Sequence, residues 1–414
     1  MQDQFDVVVI GAGAAGIAAA RRLAKARIAH VVLEARDRVG GRAHTISPEP
    51  GLPLDLGCGW LHSADINPLP ALFEAHGIAV DRSPAPWSRS VPTADWGPEA
   101  QRDFNLAFEA FDARAEAAAQ DGVDRPASDL LAPGCRWNPR LDAISAYYNG
   151  AELDQVSILD YAAYVDTGVN WRAAEGYGRA VAAFADGAAI RTGCPVAKVR
   201  HDGGDLRIET PQGTLGARAV IVTAPTSLLA QGRLAFVPDL PQVRAAAEGL
   251  PLGLADKVFL ALREADGAPA DRHVIGAPDR TDTGSYHLRP LGRPYVEGFF
   301  GGAHARALEA EGPQAMARFA IEELGKQMGA DFARRLEPLA QTAWAADPWA
   351  RGAYSHALPG RSGERAVLAR PVDGRLFFAG EATSPHAYST AHGAWESGER
   401  AAGEALAALG LTAG

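Results

Sequence analysis

Residues 5–45 read FDVVVIGAGAAGIAAARRLAKARIAHVVLEARDRVGGRAHT, and this stretch decides the fold. Residues 5–10 are apolar and rich in Val, which predicts a buried strand of a parallel sheet. The Ala- and Leu-rich residues 14–26 predict a helix, and residues 30–33 form a second apolar run. The order strand, helix, strand is typical of the first unit of an α/β domain.

Three glycines separate the first strand from the helix at the spacing G-x-G-x-x-G. Gly11 allows a tight turn, Gly13 leaves room for a pyrophosphate, and Gly16 lets helix and strand pack closely. Glu34 follows the second strand, where a carboxylate can accept hydrogen bonds from both ribose hydroxyls. The glycines alone are a weak signal, but strand, glycines, helix, strand and acid in this order predict a dinucleotide site.

A second loop distinguishes the candidate families. Arg36, Arg38, Gly40, Gly41 and Arg42 follow Glu34 within eight residues, and a nicotinamide dehydrogenase has no general need for them. The pattern E-x-R-x-R-x-G-G-R resembles the FAD-binding amine oxidase family, which includes monoamine oxidases, polyamine oxidases and flavin-dependent histone demethylases. The resemblance spans nearly the whole chain. It implies an α/β fold with a Rossmann-like FAD-binding domain built from discontinuous segments and an α+β substrate-binding domain.

The segment DLGCGWLH, residues 55–62, matches a family segment that passes beside the flavin ring. Family members that oxidise polyamines carry a histidine at the position of His62, facing the substrate. A histidine that serves only the structure is the alternative.

A lysine interrupts the apolar run at residues 253–260, and burying an ammonium is expensive. In the family, the lysine at the position of Lys257 holds a water against flavin N5. The alternative is a surface lysine at a strand edge whose charged end reaches solvent.

Aromatic residues form the next signature, WAADPWARGAYS at residues 344–355. By resemblance, Trp344 or Trp349 lies against the flavin and Tyr354 forms one wall of an aromatic cage, which suits positive charge developing on an amine. Covalently flavinylated monoamine oxidases have a cysteine where this chain has Ala353. The resemblance therefore implies FAD held non-covalently.

The last motif covers residues 376–402 and begins with Gly380 and Glu381. In the family this glutamate contacts the ribityl–pyrophosphate region, and the turn at Thr390 and Ala391 brings a helix N-terminus to the flavin. Monoamine oxidases have a second cage tyrosine where this chain has Thr390, and its absence disfavours aromatic monoamines as substrates. Tyr388 lies two residues earlier.

The resemblance assigns the cofactor contacts to one set of residues. They are Gly11, Gly13, Ala15, Gly16, Glu34, Ala35, Arg36, Gly41, Arg42, Gly57, Cys58, Gly59, Trp60, Val196, Trp344, Gly380, Glu381, Thr390 and Ala391. The catalytic candidates are Lys257, His62, Tyr354 and Trp349.

The length of 414 residues favours two domains. We expect residues 1–80, 187–245 and 365–414 to form the FAD-binding domain, and residues 81–186 and 246–364 to form the substrate-binding domain. The net charge of -10 argues against nucleic acid as a partner. The three cysteines are widely separated, which indicates a reducing compartment. The sequence has no C-x-x-C pattern or histidine cluster, so we expect no metal site. We expect no signal peptide, because the sequence goes straight into the first predicted strand, and it holds no apolar run of membrane-spanning length. We therefore expect a cytoplasmic monomer or homodimer.

The predicted activity is oxidation of an amine to an imine by hydride transfer to flavin N5, with dioxygen reduced to hydrogen peroxide. His62 and the missing second cage tyrosine favour polyamines. An L-amino acid oxidase is the alternative, and it needs an arginine for the carboxylate; Arg172, Arg289 and Arg351 are candidates. A non-catalytic FAD-binding protein is the alternative of another class, which a solvent-facing Lys257 would favour.

Overall fold

The computed structural model describes residues 4–93, 95–265 and 267–411, which fold into two main β-sheets with helices packed around them. The described residues form the helices α1 Ala14–Lys25, α2 Leu69–Ala75, α3 Pro98–Asp121, α4 Asn138–Tyr148, α5 Ile158–Ala163, α6 Tyr177–Ala183, α7 Thr226–Ala230, α8 Pro241–Glu248, α9 Gly302–Ala310, α10 Ala315–Met328, α11 Ala330–Ala333, α12 Glu364–Leu368 and α13 Ala391–Ala408. The strands are β1 Gln4–Ile10, β2 His30–Leu33, β3 Thr45–Ile46, β4 Leu54–Asp55, β5 Val80–Asp81, β6 Arg172–Ala173, β7 Ile190–Arg191, β8 Lys198–Arg200, β9 Leu206–Thr210, β10 Gly213–Val222, β11 Ala235–Val237, β12 Ala255–Leu262, β13 Arg272–Ile275, β14 Ser285–Leu288, β15 Tyr295–Gly301, β16 Leu336–Gln341 and β17 Leu376–Phe378.

The larger sheet has eight strands in the order β11-β8-β9-β10-β1-β2-β7, with β17 paired to β10. At its centre β1 runs parallel to β2 and β10, and β17 runs parallel to β10. The ends of these parallel strands meet at one edge, which is where α/β sheets bind ligands. The α/β fold class predicted from the sequence is confirmed.

The smaller sheet is antiparallel, with the strand order β13-β14-β15-β12-β16. Lys257 lies on its β12 strand, directly opposite Phe299 of β15. Apolar residues of β12 and β15 pack with Leu308 of α9 and Leu324 of α10 in one core, so the sheet holds Lys257 on a rigid element.

Helices α1 and α13 cover one face of the larger sheet and approach each other closely. A side chain at Gly398 of α13 would overlap the carbonyl of Ala15 on α1, so glycine is required at this crossing. The close packing of these helices brings both of their N-termini to the edge of the sheet. No helix within the described ranges is both long enough and apolar enough to span a membrane.

A buried ion pair joins α12 to α5. The Arg365 guanidinium donates to both carboxylate oxygens of Asp160 at 2.6 and 2.8 Å, and both side chains are 2% exposed. Arg365 also donates to the Ser355 hydroxyl at 2.9 Å. These bonds connect segments that are about two hundred residues apart in sequence.

We predict that Arg365→Met lowers the free energy of unfolding by about 3–5 kcal/mol, because it leaves the Asp160 carboxylate buried without its partner. Chemical denaturation of the purified protein measures this loss. Lys326→Met is the control, since it breaks an exposed pair with Glu322. The same loss in both variants would contradict the role of the buried pair.

Candidate functional site

A cavity of about 1010 Å³ begins at the edge of the larger sheet and reaches the smaller one. Its wall includes Ile10 at the end of β1, Leu33 at the end of β2, and Lys257 on β12. Every predicted site residue except Gly16 lines this cavity. These residues are Gly11, Gly13, Ala15, Glu34, Ala35, Arg36, Gly41, Arg42, Gly57, Cys58, Gly59, Trp60, His62, Val196, Lys257, Trp344, Trp349, Tyr354, Gly380, Glu381, Thr390 and Ala391.

The glycines after β1 form a cradle. Gly11 has a φ of +102°, and a side chain there would overlap Thr223, so only glycine fits the turn. Gly16 lies outside the cavity wall, and a side chain there would overlap the carbonyl of Gly11. A Cβ on Gly13 would meet no atom nearer than Cα of Gly41 at 4.0 Å, so the space beside Gly13 belongs to the cavity.

The N-terminus of α1 opens into this cradle. Gly13 is the N-cap residue and supplies no side chain to cap the helix, and the first turn carries no acidic residue. The first N–H groups of the helix and its positive end are therefore available to a phosphate.

Glu34 is held rigidly beside the cradle. Its carboxylate is 4% exposed and accepts hydrogen bonds from the Ala12 amide at 2.7 Å and the Arg36 amide at 2.9 Å. Each carboxylate oxygen has two lone pairs, so both can accept a further bond from a ligand. This arrangement fits the two hydroxyls of a ribose.

Glu381 is the most extensively bonded carboxylate of the site. One oxygen accepts from Arg42 at 3.0 Å and the Ser355 amide at 3.2 Å, and the other accepts from the Ser355 hydroxyl at 2.6 Å and the Ser389 amide at 2.9 Å. Burial acts to raise the pKa of Glu381, but Arg42, Arg365 and these bonds outweigh it, and the pKa is lowered. The group is therefore charged, and it fixes Arg42 at the cavity wall.

Lys257 is buried and paired, in contrast to a surface lysine. Its ammonium lies 2.9 Å from Glu297, donates to the Asp55 carbonyl at 2.9 Å, and is 5.1 Å from the centre of the Phe299 ring. Burial acts to raise the pKa of Glu297, but Lys257 and His287 lower it to about 2. A fixed ammonium therefore faces the glycine loop, where a Cβ on Gly59 would lie 3.2 Å from it.

His62 lines the cavity, and one nitrogen of its ring is left as a hydrogen-bond acceptor. Its Nδ1 lies 2.6 Å from Oδ1 of Asn170, whose amide nitrogen donates to the Gly168 carbonyl. Oδ1 can only accept, so Nδ1 carries the proton and Nε2 is left as an acceptor. Burial lowers the pKa of His62, which favours this neutral form.

Aromatic rings form much of the remaining wall. The Trp344 indole donates to the Leu56 carbonyl at 3.1 Å, and the Tyr354 hydroxyl donates to the Tyr147 carbonyl, so both rings are held in place. Tyr388 also lines the cavity, but its hydroxyl donates to the Asp160 carbonyl and Arg365 stacks on its ring at 3.8 Å. Tyr388 is therefore part of the buried ionic network.

Sequence reasoning missed several residues of the site. Glu297, which pairs with Lys257, stands in the apolar run of β15, and a lone acid in such a run is a signal that a buried cation lies nearby. His273, His287 and Arg140 also line the cavity and carry no local motif.

The three arginines considered for the L-amino acid oxidase alternative lie outside the cavity wall. Arg172 is paired with Asp81 at 2.6 Å and Asp271 at 2.7 Å, and it does not line the cavity. Arg289 and Arg351 do not line it either. Within the described ranges, no group of three or more His, Cys, Asp or Glu side chains is arranged to hold a metal ion.

Comparison with known proteins gives a family match over most of the chain. The model of the flavin containing amine oxidoreductases matches residues 14–146 and 136–406. Polyamine oxidase 4 of Oryza sativa subsp. japonica is 28% identical over 96% of this chain and 88% of its own length. Lysine-specific histone demethylase 2 of Homo sapiens is 27% identical over 97% of this chain and 53% of its own length.

Solved structures share the fold. Cyclohexylamine oxidase from Brevibacterium oxydans has a TM-score of 0.80 and 24% identity, and the match covers 98% of this chain and 99% of that one. A variant of putrescine oxidase also has a TM-score of 0.80, with 19% identity and the same coverage.

We predict that Gly13→Ala folds normally but loses bound flavin by at least about tenfold, because the methyl group meets no protein atom and enters the phosphate space. Flavin absorbance per protein measures the loss. Gly97→Ala is the control, since a Cβ there also meets nothing within 4 Å and Gly97 lies outside the cavity wall. Full flavin content in Gly13→Ala would contradict the prediction that the cofactor's phosphate occupies the space beside Gly13.

We predict that the Glu297–Lys257 pair stabilises the fold at neutral pH and loses this effect in acid. The pKa of Glu297 is lowered from 4.5 to about 2, so the stabilisation is complete above about pH 4.5 and declines as the pH falls towards 2. Urea unfolding should give wild type an advantage of about 3 kcal/mol over Glu297→Gln at neutral pH, shrinking below pH 4.5. A gap that does not change with pH would contradict this.

Proposed function

The chain belongs to the flavin containing amine oxidoreductase family, and from this premise we propose that it binds FAD non-covalently and oxidises a C–N bond of an amine. The observation that carries the proposal is the single cavity that joins the glycine cradle and Glu34 to the buried Lys257. FAD would supply the redox chemistry, accepting a hydride from the amine carbon and passing two electrons to dioxygen, which gives an imine and hydrogen peroxide.

The residues of the cavity fit FAD at both of its ends. We propose that the α1 N-terminus holds the pyrophosphate and Glu34 the adenosine ribose. The second helix N-terminus, that of α13, opens on the cavity at Thr390 and Ala391, and the Thr390 hydroxyl caps it by accepting from the Gly393 amide at 3.0 Å. Its positive end stabilises negative charge on a reduced ring.

Non-covalent attachment is supported by the thiol chemistry of the wall. Ala353 stands at the position where covalently flavinylated relatives have cysteine, and Cys58 is the cysteine among the lining residues described. Burial raises the pKa of the Cys58 thiol, and a protonated thiol is a poor nucleophile.

Lys257 is our candidate for holding a water at the reactive end of the cofactor. Its bonds to Glu297 and the Asp55 carbonyl fix its position while leaving one N–H free to donate. Tyr354 and Trp349 would form the walls around the amine, and the Nε2 acceptor of His62 would receive an N–H of the substrate. The burial of Lys257 counts against the non-catalytic alternative.

Polyamines are the amines that we favour. Glu109, Asp112, Glu116 and Asp166 line the cavity, and such carboxylates attract a chain with several ammonium groups. Polyamine oxidases are among the similar proteins over most of their length. The three arginines considered for an L-amino acid oxidase do not line the cavity. Arg140 does line it, but the rings of Phe299, His287 and His273 lie between it and Lys257.

We also propose that the two sheets belong to two domains with different functions. Residues 1–80, 187–245 and 365–414 would bind the cofactor, and residues 81–186 and 246–364 would bind the substrate. The strands of the larger sheet come from all three of the first segments, which supports this division.

The test is oxygen consumption and peroxide release with spermine, spermidine, putrescine, phenylethylamine and L-amino acids. We predict turnover of a polyamine with one peroxide per oxygen consumed. The double variant Lys257→Gln with Glu297→Gln removes the ammonium without leaving a buried charge, and it should keep its flavin and turn over at least about tenfold more slowly. Turnover of amino acids alone would support the rival, and a flavin-loaded protein that turns over no amine of any class would refute the proposal.

A further inference from the structure

The wall of the cavity carries opposite charges in different places. Helix α3 presents the three carboxylates named above, and Asp166 follows α5. Arg140 of α4 lines another part, together with the imidazoles of His273 and His287. Burial lowers the pKa of both imidazoles, and Arg140 contributes at His273. The rings are therefore neutral, and Arg140 is the cation of this part.

Arg140 lacks an anionic partner. It is 3% exposed, and its Nε and Nη1 have no hydrogen-bond partner within the described ranges. Its hydrogen-bonding neighbour is the Tyr147 hydroxyl, which donates its own proton to the Thr283 carbonyl. Glu323 acts on Arg140 only from a distance and is already bonded to Thr283, Gly284 and Tyr286.

Other arginines buried to the same degree are paired. Arg172 has Asp81 and Asp271, and Arg365 has Asp160. An isolated buried charge costs several kcal/mol, so buried charges in proteins are normally paired. Arg140 departs from this rule on the wall of a ligand cavity, which indicates that its partner is a ligand.

A second donor on the wall is also unsatisfied. The Trp96 indole is 3% exposed and lines the cavity, and its N–H has no partner within the described part of the chain. Trp96 packs edge-on against Trp137, the N-cap residue directly before α4, with ring centres 5.7 Å apart. Arg140 lies on the first turn of the same helix, so the free donors belong to one region.

We propose that Arg140 binds a carboxylate of the amine substrate, so that the preferred substrate is an aminoalkyl carboxylate, a chain of the polyamine type in which a carboxylate replaces one terminal amine. This inference rests on the proposed amine oxidation and specifies its substrate class. The carboxylate would pair with the guanidinium. In a longer chain, an ammonium group other than the reacting amine would face the carboxylates of α3 and Asp166.

The amine that reacts lies away from this carboxylate. Lys257 contacts the Phe299 ring, Phe299 contacts His287 at 4.8 Å between ring centres, and His287 contacts His273 at 5.7 Å. His273 is the far member of this series, and its pKa is lowered by burial, by His287 and by the charge of Arg140, so Arg140 lies near this ring. A spacer of several methylenes suits this separation, whereas an α-amino acid carries both groups on one carbon.

The test compares putrescine with 5-aminopentanoate, which has the same methylene spacer and a carboxylate in place of one amine. We predict that wild type has the higher kcat/KM for 5-aminopentanoate. Arg140→Gln should lower the ratio of the two kcat/KM values by at least about thirtyfold, because the substrate carboxylate loses its buried partner. Arg334→Gln, at an exposed arginine, should leave the ratio unchanged.

Binding of pentanoate gives a readout that does not depend on turnover. Pentanoate has no amine, and it should raise the unfolding temperature of wild type but not of Arg140→Gln. Arg140→Gln itself should be at least as stable as wild type, since it removes an unpaired buried charge. Stabilisation by pentanoate without flavin reduction by any amine would sink the amine oxidation and keep the carboxylate site.

Two results would overturn the inference. One is a wild-type kcat/KM that is higher for putrescine than for 5-aminopentanoate, together with a ratio of the two values that is the same in Arg140→Gln. The other is equal stabilisation of wild type and Arg140→Gln by pentanoate.

Discussion

The structure depends on one buried ionic network centred on Glu381. This carboxylate accepts hydrogen bonds from Arg42, Ser355 and Ser389. The Ser355 hydroxyl in turn accepts from Arg365, which is paired with Asp160. The members come from regions scattered along the whole chain. Because buried charges must stay paired, none of these segments can move independently without stranding a charge. The network therefore holds the edge of the larger sheet against the residues that complete the cavity wall.

The cavity gains its chemistry from what this packing brings together. A glycine cradle and two helix N-termini supply neutral donors and positive ends, which suit phosphate and a reduced flavin. Lys257 supplies a fixed ammonium on a strand of the other sheet, held by Glu297. The wall beyond is polarised between carboxylates and Arg140, and this polarity is our reason for a substrate with both charges.

Local features were predictable from the sequence, and long-range pairings were not. The turn at Gly11, the acid at Glu34 and the α/β class follow from short patterns whose backbone demands are intrinsic to glycine and to parallel strands. The motifs also indicated Lys257. Glu297 and Arg140 were missed because their roles depend on residues far away in sequence. Glu297 pairs with a lysine of the neighbouring strand. Arg140 stands in an ordinary helical sequence, and only the fold shows that it is buried without an anion. Those facts exist only after the chain has folded.

The most direct test of the account is the absorbance spectrum of the purified protein before and after an amine is added without oxygen. We predict flavin bands that are bleached by a polyamine or an aminoalkyl carboxylate and restored by air, because the proposed account puts the cofactor and the amine side by side in one cavity. A protein that cannot be loaded with FAD, or a loaded protein whose bands no amine bleaches, would contradict it.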